Sequence, residues 1–369
     1  MAIPQTQTAV IQIDEKSTLP LMVSDSVPTF QQPSEQYVLV RVLAVALNPT
    51  DFKMVQHFPI ADNLAGCDFC GIVEACGNEE TAHQFPPGTR VCGAVFPYNP
   101  QERQSGSFAQ WVIADSGLLL KVPDGWNDLD AAAVGGVSWG TAVLAFYDPD
   151  ALALTGRPTK KSNKKEPVLV YGAGTASGTM ACQLLNLSGY APIAVASSAS
   201  ADMAMKYGAI GTADYTSPDC ANTIKQLAGG APIRYVLDCI ASAESAAMCF
   251  SLIARTGGRY ACLEGLSPAW RTRRTVKVKE VMGFEGLGIK IDLGPTSYSR
   301  DANPVLRKIC CDTTKDIQTV MDSGLLKSHP VREVPGQWQG IIDGLAMLQR
   351  GEITATLAYS YEKRALHKI

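Results

Sequence analysis

The first 150 positions alternate short apolar, β-branched runs with proline, glycine and aspartate. Thr8–Ile13, Tyr37–Ala46, Gly71–Ala75, Thr89–Ala94, Phe108–Ile113 and Leu118–Val122 read as strands. Helical spacing occurs there only in Leu129–Val134, behind Asp128 as an N-cap, and in Thr141–Phe146. From Pro167 the pattern changes to strand, turn, helix, strand. Pro167–Tyr171 is apolar and β-rich, glycines follow at Gly172, Gly174 and Gly178, Thr179–Leu187 has helical spacing, and Ile193–Ala196 is a second strand. Arg234–Ile240, Ala243–Ile253 and Arg259–Leu263 continue the series, with Gly257 and Gly258 as a turn. Such alternation predicts a doubly wound parallel sheet. After about Gly294 it weakens: Lys315–Ser323 and Trp338–Leu348 read as helices and Thr356–Tyr361 as a closing strand.

Thr155–Glu166, reading TGRPTKKSNKKE, holds Arg157 and four lysines and almost nothing apolar. It predicts a solvated loop joining two domains; the functional alternative is a docking patch for an acidic partner. The expected architecture is α/β: a β-rich domain over 1–165 and 310–369, interrupted by a nucleotide-binding domain over 166–309.

The glycine turn carries the first chemistry. It gathers free backbone N–H groups and a helix N-terminus at one point, where a dinucleotide pyrophosphate binds. The last glycine comes one residue later than in G-x-G-x-x-G, so the surrounding strand–helix–strand pattern supports the reading more than the spacing does. An acid at the end of the second strand would hold the ribose hydroxyl of NAD. Here Ser197 and Ser200 stand instead, with no acid before Asp202. Small hydroxyls leave room for a 2′-phosphate, with Lys206 and Tyr215 further along, so NADPH is the expected cofactor. The simpler alternative for these serines is a polar cap before a helix over Ala201–Tyr207.

Composition narrows the class. In 369 residues, 46% are hydrophobic, 18% charged and the net charge is −3, with no long basic stripe. Nucleic acid and anionic membrane are therefore excluded as main partners. Met1–Val10 lacks a basic and apolar leader, and no run reads as long enough to span a bilayer, which predicts a cytosolic protein. Eleven cysteines and four scattered histidines predict reduced, packed thiols. The Cys67-x-x-Cys70 pair has no second pair to complete a structural zinc site.

Several segments together resemble the medium-chain dehydrogenase/reductase superfamily. They are NPTDFKM at Asn48–Met54, GCDFCGIV at Gly66–Val73, PPGTRVCG at Pro86–Gly93, GSFAQWV at Gly106–Val112, the glycine turn, LDCI at Leu237–Ile240 and GGRYACLE at Gly257–Glu264. Within it, LLNLSGYAPIAVAS at Leu184–Ser197, LDCIASAESAAMCF and RGEITATL at Arg350–Leu357 are most similar to the trans-acting enoyl reductases of fungal polyketide synthases. The resemblance implies a GroES-like domain beside a Rossmann domain. At the ligand positions of the zinc-dependent branch this chain has Asn48 and Gly66-Cys67-Asp68, which implies zinc-independent catalysis.

The resemblance also implies a site. Thr50, Asp51, Phe52 and Lys53 would border the nicotinamide. Gly174, Thr175, Ala176 and Ser177 would hold the pyrophosphate, and Ser197, Ser198, Ala199, Ser200 and Tyr215 the adenosine phosphate. Leu263, Glu264, Ile353 and Thr354 would complete the cofactor site. Thr141 and Ala142, with Met282, Gly283, Phe284, Glu285 and Gly286, would meet the acyl chain. Lys53 and Thr141 are the candidate catalytic residues; the simpler alternative for Lys53 is an ion pair with Asp51. The implied reaction reduces the α,β-double bond of an acyl-carrier-tethered enoyl thioester for a partner polyketide synthase or PKS-NRPS. The resemblance implies pairing of edge strands between copies, but the stretch after Leu263 is interrupted by glycine, Pro268, Pro295 and positive charges, which predicts a monomer instead. Two rivals stand beside this reading: a stand-alone quinone or 2-alkenal reductase, and a non-catalytic cofactor-binding subunit of a synthase.

Overall fold

Polar caps start most helices and β-branched or alanine-rich runs make the strands. The computed structural model describes residues 3–102, 105–353 and 355–361. The elements begin with β1 (Thr6–Gln12), β2 (Leu21–Pro28), β3 (Tyr37–Leu47), α1 (Pro49–His57), β4 (Asp68–Cys76), α2 (Glu79–Gln84) and β5 (Arg90–Ala94). Then come β6 (Trp111–Asp115), β7 (Leu120–Lys121), α3 (Asp128–Val134), α4 (Val137–Tyr147), β8 (Pro167–Tyr171), α5 (Ala176–Leu187), β9 (Ala191–Ala196) and α6 (Ser198–Lys206). β10 (Gly211–Asp214), α7 (Cys220–Leu227), β11 (Tyr235–Asp238), α8 (Ala243–Leu252), β12 (Gly258–Cys262) and β13 (Val276–Glu280) follow. The chain ends through α9 (Pro304–Asp322), β14 (Val331–Glu333), α10 (Gln337–Gln349) and β15 (Thr356–Ser360).

Two compact units result. The first comprises Met1–Val137, Ile291–Ser299 and Ser328–Ile369. Its main sheet runs β14-β15-β3-β4-β5-β7, with β6 also on β3, and β1–β2 form a separate ribbon. The eleven-residue β3 is its hub, antiparallel to β15, β4 and β6. The second unit comprises Ser138–Lys290 and Arg300–Lys327, around a parallel sheet of order β10-β9-β8-β11-β12-β13. Its core packs strand residues such as Leu169, Val195, Val236 and Tyr260 against Phe250 and Ile224 from the helices. All eleven cysteines are free thiols, and Cys70 and Cys92 face each other across β4 and β5.

The boundaries differ from the expected ones at 165/166 and 309/310. Segments 138–165 and 310–327 belong with the nucleotide sheet because polar ties bind them to it. Arg259 of β12 donates to the carbonyls of Pro149 and Ala151, and Lys279 of β13 pairs with Asp148 at 3.6 Å. Arg157 is paired at 2.6 Å with Asp316 of α9. The lysine-rich loop therefore lies inside the second unit and does not mark a domain junction.

Other differences are local. Asn127, not Asp128, caps α3 through the amide of Asp130. The segment after β3, for which no helix was read from the sequence, is α1: Asn48 is its cap and Pro49, with its pre-set φ, opens it. β13 is a regular strand parallel to β12, so the stretch after Leu263 is not wholly broken. Asp128–Tyr147 is long and apolar enough, by composition, to cross a membrane, contrary to expectation. It is two helices separated at Gly135-Gly136, and 72% of the apolar window is buried in protein.

Candidate cofactor and active site

In the second unit, the cofactor candidates collect at the carboxyl ends of the parallel strands. Tyr171, Val195, Asp238 and Cys262 lie in register across β9, β8, β11 and β12. The chain leaves these ends through Gly172–Ser177, Ser197–Ser200, Cys239–Ala241 and Leu263-Glu264. This edge is where open α/β sheets hold their ligands.

The glycine turn is a cradle with no space for side chains. Gly172 has φ +79°, a left-handed value suited to glycine. A Cβ at Gly178 would lie 2.3 Å from the Gly172 carbonyl oxygen. Thr175 caps α5: its hydroxyl donates to the Gly172 carbonyl at 2.9 Å and accepts from the Gly178 amide at 3.0 Å. Thr175 thus locks the turn, and Gly174–Ser177 remain half-buried at the start of α5.

A Cβ at Gly174 would lie 2.7 Å from the Ser200 hydroxyl, so the turn and the serine cluster meet. Ser197 ends β9 but its side chain does not cap α6. It donates instead to the Ser200 hydroxyl at 3.3 Å, and Ser198 and Ala199 are exposed. The simple-cap reading of these serines is corrected. Tyr215 is half exposed and stacks on Tyr171 with ring centroids 6.4 Å apart. Lys206, by contrast, ends α6, about 12 Å along the helix from Ser198. It does not join the cluster.

Asp214, at the end of β10, was missed by sequence reasoning. Its carboxylate accepts from Thr216 and from the backbone N–H of Ser198, and these bonds lower its pKa. An acid therefore stands beside the serines, contributed by the neighbouring strand. A reading that follows only the chain after β9 does not see it.

The acyl-chain candidates are mostly structural in position. Met282, Phe284, Glu285 and Gly286 are buried and only Gly283 is exposed. The Glu285 carboxylate accepts from Lys279 at 3.0 Å, from Arg300 at 3.2 Å and from the Met282 amide at 3.0 Å, so it fixes this turn. A Cβ at Gly286 would meet the Cys310 sulfur at 2.6 Å, which ties the turn to α9. Ala142 is buried inside α4. Thr141 does converge on the segment: a Cβ at Gly283 would lie 2.6 Å from its hydroxyl.

In the first unit, α1 brings Thr50, Phe52 and Lys53 to half-buried positions. Asp51 turns inward instead and is fully enclosed. Its carboxylate accepts from the Asn48 amide at 2.8 Å and the Tyr98 hydroxyl at 3.3 Å, and Cys67 bonds it as well. Burial pushes its pKa from 3.8 up to about 6. Asp51 is thus a helix anchor rather than a cofactor contact, and Lys53 is not needed to neutralise it. Ile353 follows α10 in this unit; Thr354 lies outside the described residues.

Asp68 is equally enclosed. One oxygen accepts from the amides of Gly136 and Val137 at 2.8 and 2.9 Å, the other from the Asn48 side chain at 2.9 Å. Burial drives its pKa up to about 7, against those bonds. Gly135, at φ +39°, has the Asp68 carboxyl where a Cβ would stand. The sequence signal was an acid within an apolar strand, CDFCGIV. The three positions Asn48, Cys67 and Asp68 do not fit zinc. The Asn48 side-chain nitrogen is a donor spent on Asp68, and both Asp68 oxygens are already occupied by Asn48, Gly136 and Val137.

Comparisons with known proteins agree with this architecture. The profile of the alcohol dehydrogenase GroES-like domain matches residues 34–124, and that of the zinc-binding dehydrogenases matches residues 176–284. A trans-enoyl reductase of Penicillium decumbens is 56% identical, over 94% of this chain and 95% of its own. The chain belongs to the trans-enoyl reductase family. A second relative of that name, from Phaeosphaeria nodorum, is 51% identical over 94% and 95% of the two chains. Among solved structures, the CurK enoyl reductase superposes with TM-score 0.72 at 16% identity, covering 97% of this chain and 99% of its own. A quinone oxidoreductase of Pseudomonas syringae pv. tomato gives TM-score 0.70 at 19% identity, covering 96% and 99%. These two likenesses show the fold, and the two family profiles place the chain among the medium-chain dehydrogenase/reductases.

Proposed function

We propose that this chain reduces the α,β-double bond of enoyl thioesters carried by a separate polyketide synthase, using NADPH. The observation that carries the reading is 56% identity over nearly the whole length to a trans-enoyl reductase. The glycine turn locked by Thr175 supports cofactor binding, which a catalytic and a non-catalytic cofactor-binding chain would share, so a turnover assay separates those two. The choice of NADPH rests on Ser197 and Ser200 beside Gly174.

NADPH, when bound, supplies a hydride to the β-carbon. The chain's own residues do the rest. Gly174–Ser177 hold the pyrophosphate with backbone N–H groups at the start of α5, and Ser197–Ser200 with Tyr215 take the adenosine end. Negative charge develops on the thioester oxygen, and we assign Lys53 and Thr141 as the donors that stabilise it. A proton must then reach the α-carbon, and Lys53, a tyrosine or water is its source. Asp51 supports Lys53 indirectly by anchoring α1.

We also propose that the enzyme is a cytosolic monomer acting on acyl-carrier-bound chains. β13 is an edge of the parallel sheet, and pairing it antiparallel with a second copy about Val278 would set Lys277 opposite Lys279. Lys279 is partly neutralised by Asp148 and Glu285, so the exposed Lys277 carries the effect, and charged side chains on an edge strand discourage pairing. NADPH oxidation with crotonyl pantetheine and with crotonyl carrier protein tests the function. Reduction of both, faster on the carrier, is expected. Absence of any turnover would overturn the enzymatic reading, and equal rates would favour a reductase of free substrates.

A further inference from the structure

The lysine-rich loop is not used by the chemistry above, yet it is built with care. Lys160, Lys161, Lys164 and Lys165 are exposed within six residues, in a chain whose net charge is −3. None of the four makes an ion pair among the described residues. The nearby acids of α9 are taken: Asp312 by Lys308 at 2.7 Å, Asp316 by Arg157 and the Thr159 hydroxyl. Glu166, the one acid in the loop, is half-buried.

The loop is also held in one shape. Arg157 and Lys160 exchange two backbone hydrogen bonds of 2.9 Å, and the Arg157 guanidinium lies over the Tyr147 ring while bonded to Asp316 and Thr313. The Ser162 amide donates to the Ser188 carbonyl at 2.8 Å. The backbones meet so closely that a Cβ at Gly156 or Gly189 would lie within 2.6 Å of an oxygen atom. Lys165 even adopts φ +46°, a left-handed value that costs a residue with a side chain. A loop that only connects two elements needs none of this. Fixing the backbone beforehand lowers the entropy lost when charges engage a partner.

Position completes the argument. The loop runs into the amino end of β8 and packs on the turn into the amino end of β9. The cofactor cradle lies at the carboxyl end of β8, about 16 Å along the five-residue strand. A body bound on the lysines would leave the cradle clear.

We propose that this lysine surface docks an acidic face of the partner synthase, at the end of the nucleotide sheet opposite the cofactor. The proposal rests on the reading that the chain serves a separate synthase. The test is the fourfold variant Lys160→Glu, Lys161→Glu, Lys164→Glu and Lys165→Glu, which leaves Arg157, Thr159 and Ser162 in place. The probes are the purified polyketide synthases of the same genome, each titrated for binding whether or not its product becomes reduced when this chain is added. Reduction of free crotonyl pantetheine should be unchanged. The concentration of the variant needed for half-maximal reduction on the synthase should rise about tenfold or more, and its salt dependence should flatten. Anisotropy of the labelled chain titrated with the synthase reads docking without turnover, so a failed activity assay with lysine-dependent binding would sink the enzymatic reading and leave the docking standing. Equal binding by variant and wild type overturns the proposal. So does lysine-dependent binding to vesicles of equimolar phosphatidylserine and phosphatidylcholine with an unchanged synthase titration, which would assign the patch to a membrane.

Discussion

Asp68→Asn probes an electrostatic load carried by the first unit. In the folded protein burial raises the Asp68 pKa from 3.8 to about 7, while its hydrogen bonds pull downward and the charge of Asp51 pushes it further up. The native state thus keeps a proton that the unfolded chain has already lost between about pH 4 and about pH 7. The group's stabilising contribution is full below the unfolded value and falls as pH rises through that window. The slope is up to about 1.4 kcal/mol per pH unit, so a shift of about three units costs on the order of 4 kcal/mol by about pH 8. Asparagine has no proton to lose, and its side-chain oxygen can still accept from Gly136 and Val137. Urea midpoints measured from about pH 5 to about pH 8 should therefore fall steadily for the wild type and much less for Asp68→Asn, the remaining fall belonging largely to Asp51. Carboxyl ¹³C NMR should place one aspartate titration near neutrality and lose it in the variant. Parallel urea curves for the two proteins would refute the reasoning.

Ser200→Asp should weaken NADPH, by roughly tenfold or more, through like charge beside the 2′-phosphate, and should shift preference toward NADH in a fluorescence titration. Equal affinity of the wild type for both cofactors would contradict the serine reading. Asp214→Asn should act in the opposite sense and tighten NADPH binding, because it removes a carboxylate now bonded at Ser198; unchanged or weaker binding would exclude that role. Light scattering at micromolar concentration should give the monomer mass of 39.4 kDa, and twice that mass would show that the edge charges do not prevent pairing.

The centre of the parallel sheet was legible because β8, β9 and β11 are nearly all apolar and glycines or polar caps fall at their ends, whereas β10 (GTAD) and β13 (VKVKE) lack that signal. The turn at Gly172 appears where the pattern puts it, while α5 starts at Ala176 behind a Thr175 cap, three residues ahead of the helix expected from Thr179. What escaped notice was short or disguised. β10 has four residues, α2 six, and α1 hides behind Asn48-Pro49, a pair that reads as a turn unless proline is allowed to open a helix. The domain boundary was misplaced for a different reason. Composition marks where a chain is solvated, not which unit it belongs to. The ties that decide membership of the lysine loop come from Arg157 to residues 156 and 159 positions away.

The site divides in the same way. Motifs name backbone segments, but the direction of each side chain depends on partners far along the chain. Asp51 and Lys53 are two residues apart on one helix, yet Asp51 faces Tyr98 and is lost to the cofactor. Asn48, Cys67 and Asp68 show what replaces a metal when its ligands change. A zinc ion would hold three segments together by accepting electron pairs from all of them. Here Asp68 does the joining as an acceptor, from Asn48 ahead of α1 and from Gly136 and Val137 at the start of α4. The exchange keeps the segments fixed, but it surrenders a Lewis acid and buries a carboxylate whose proton comes off near neutrality.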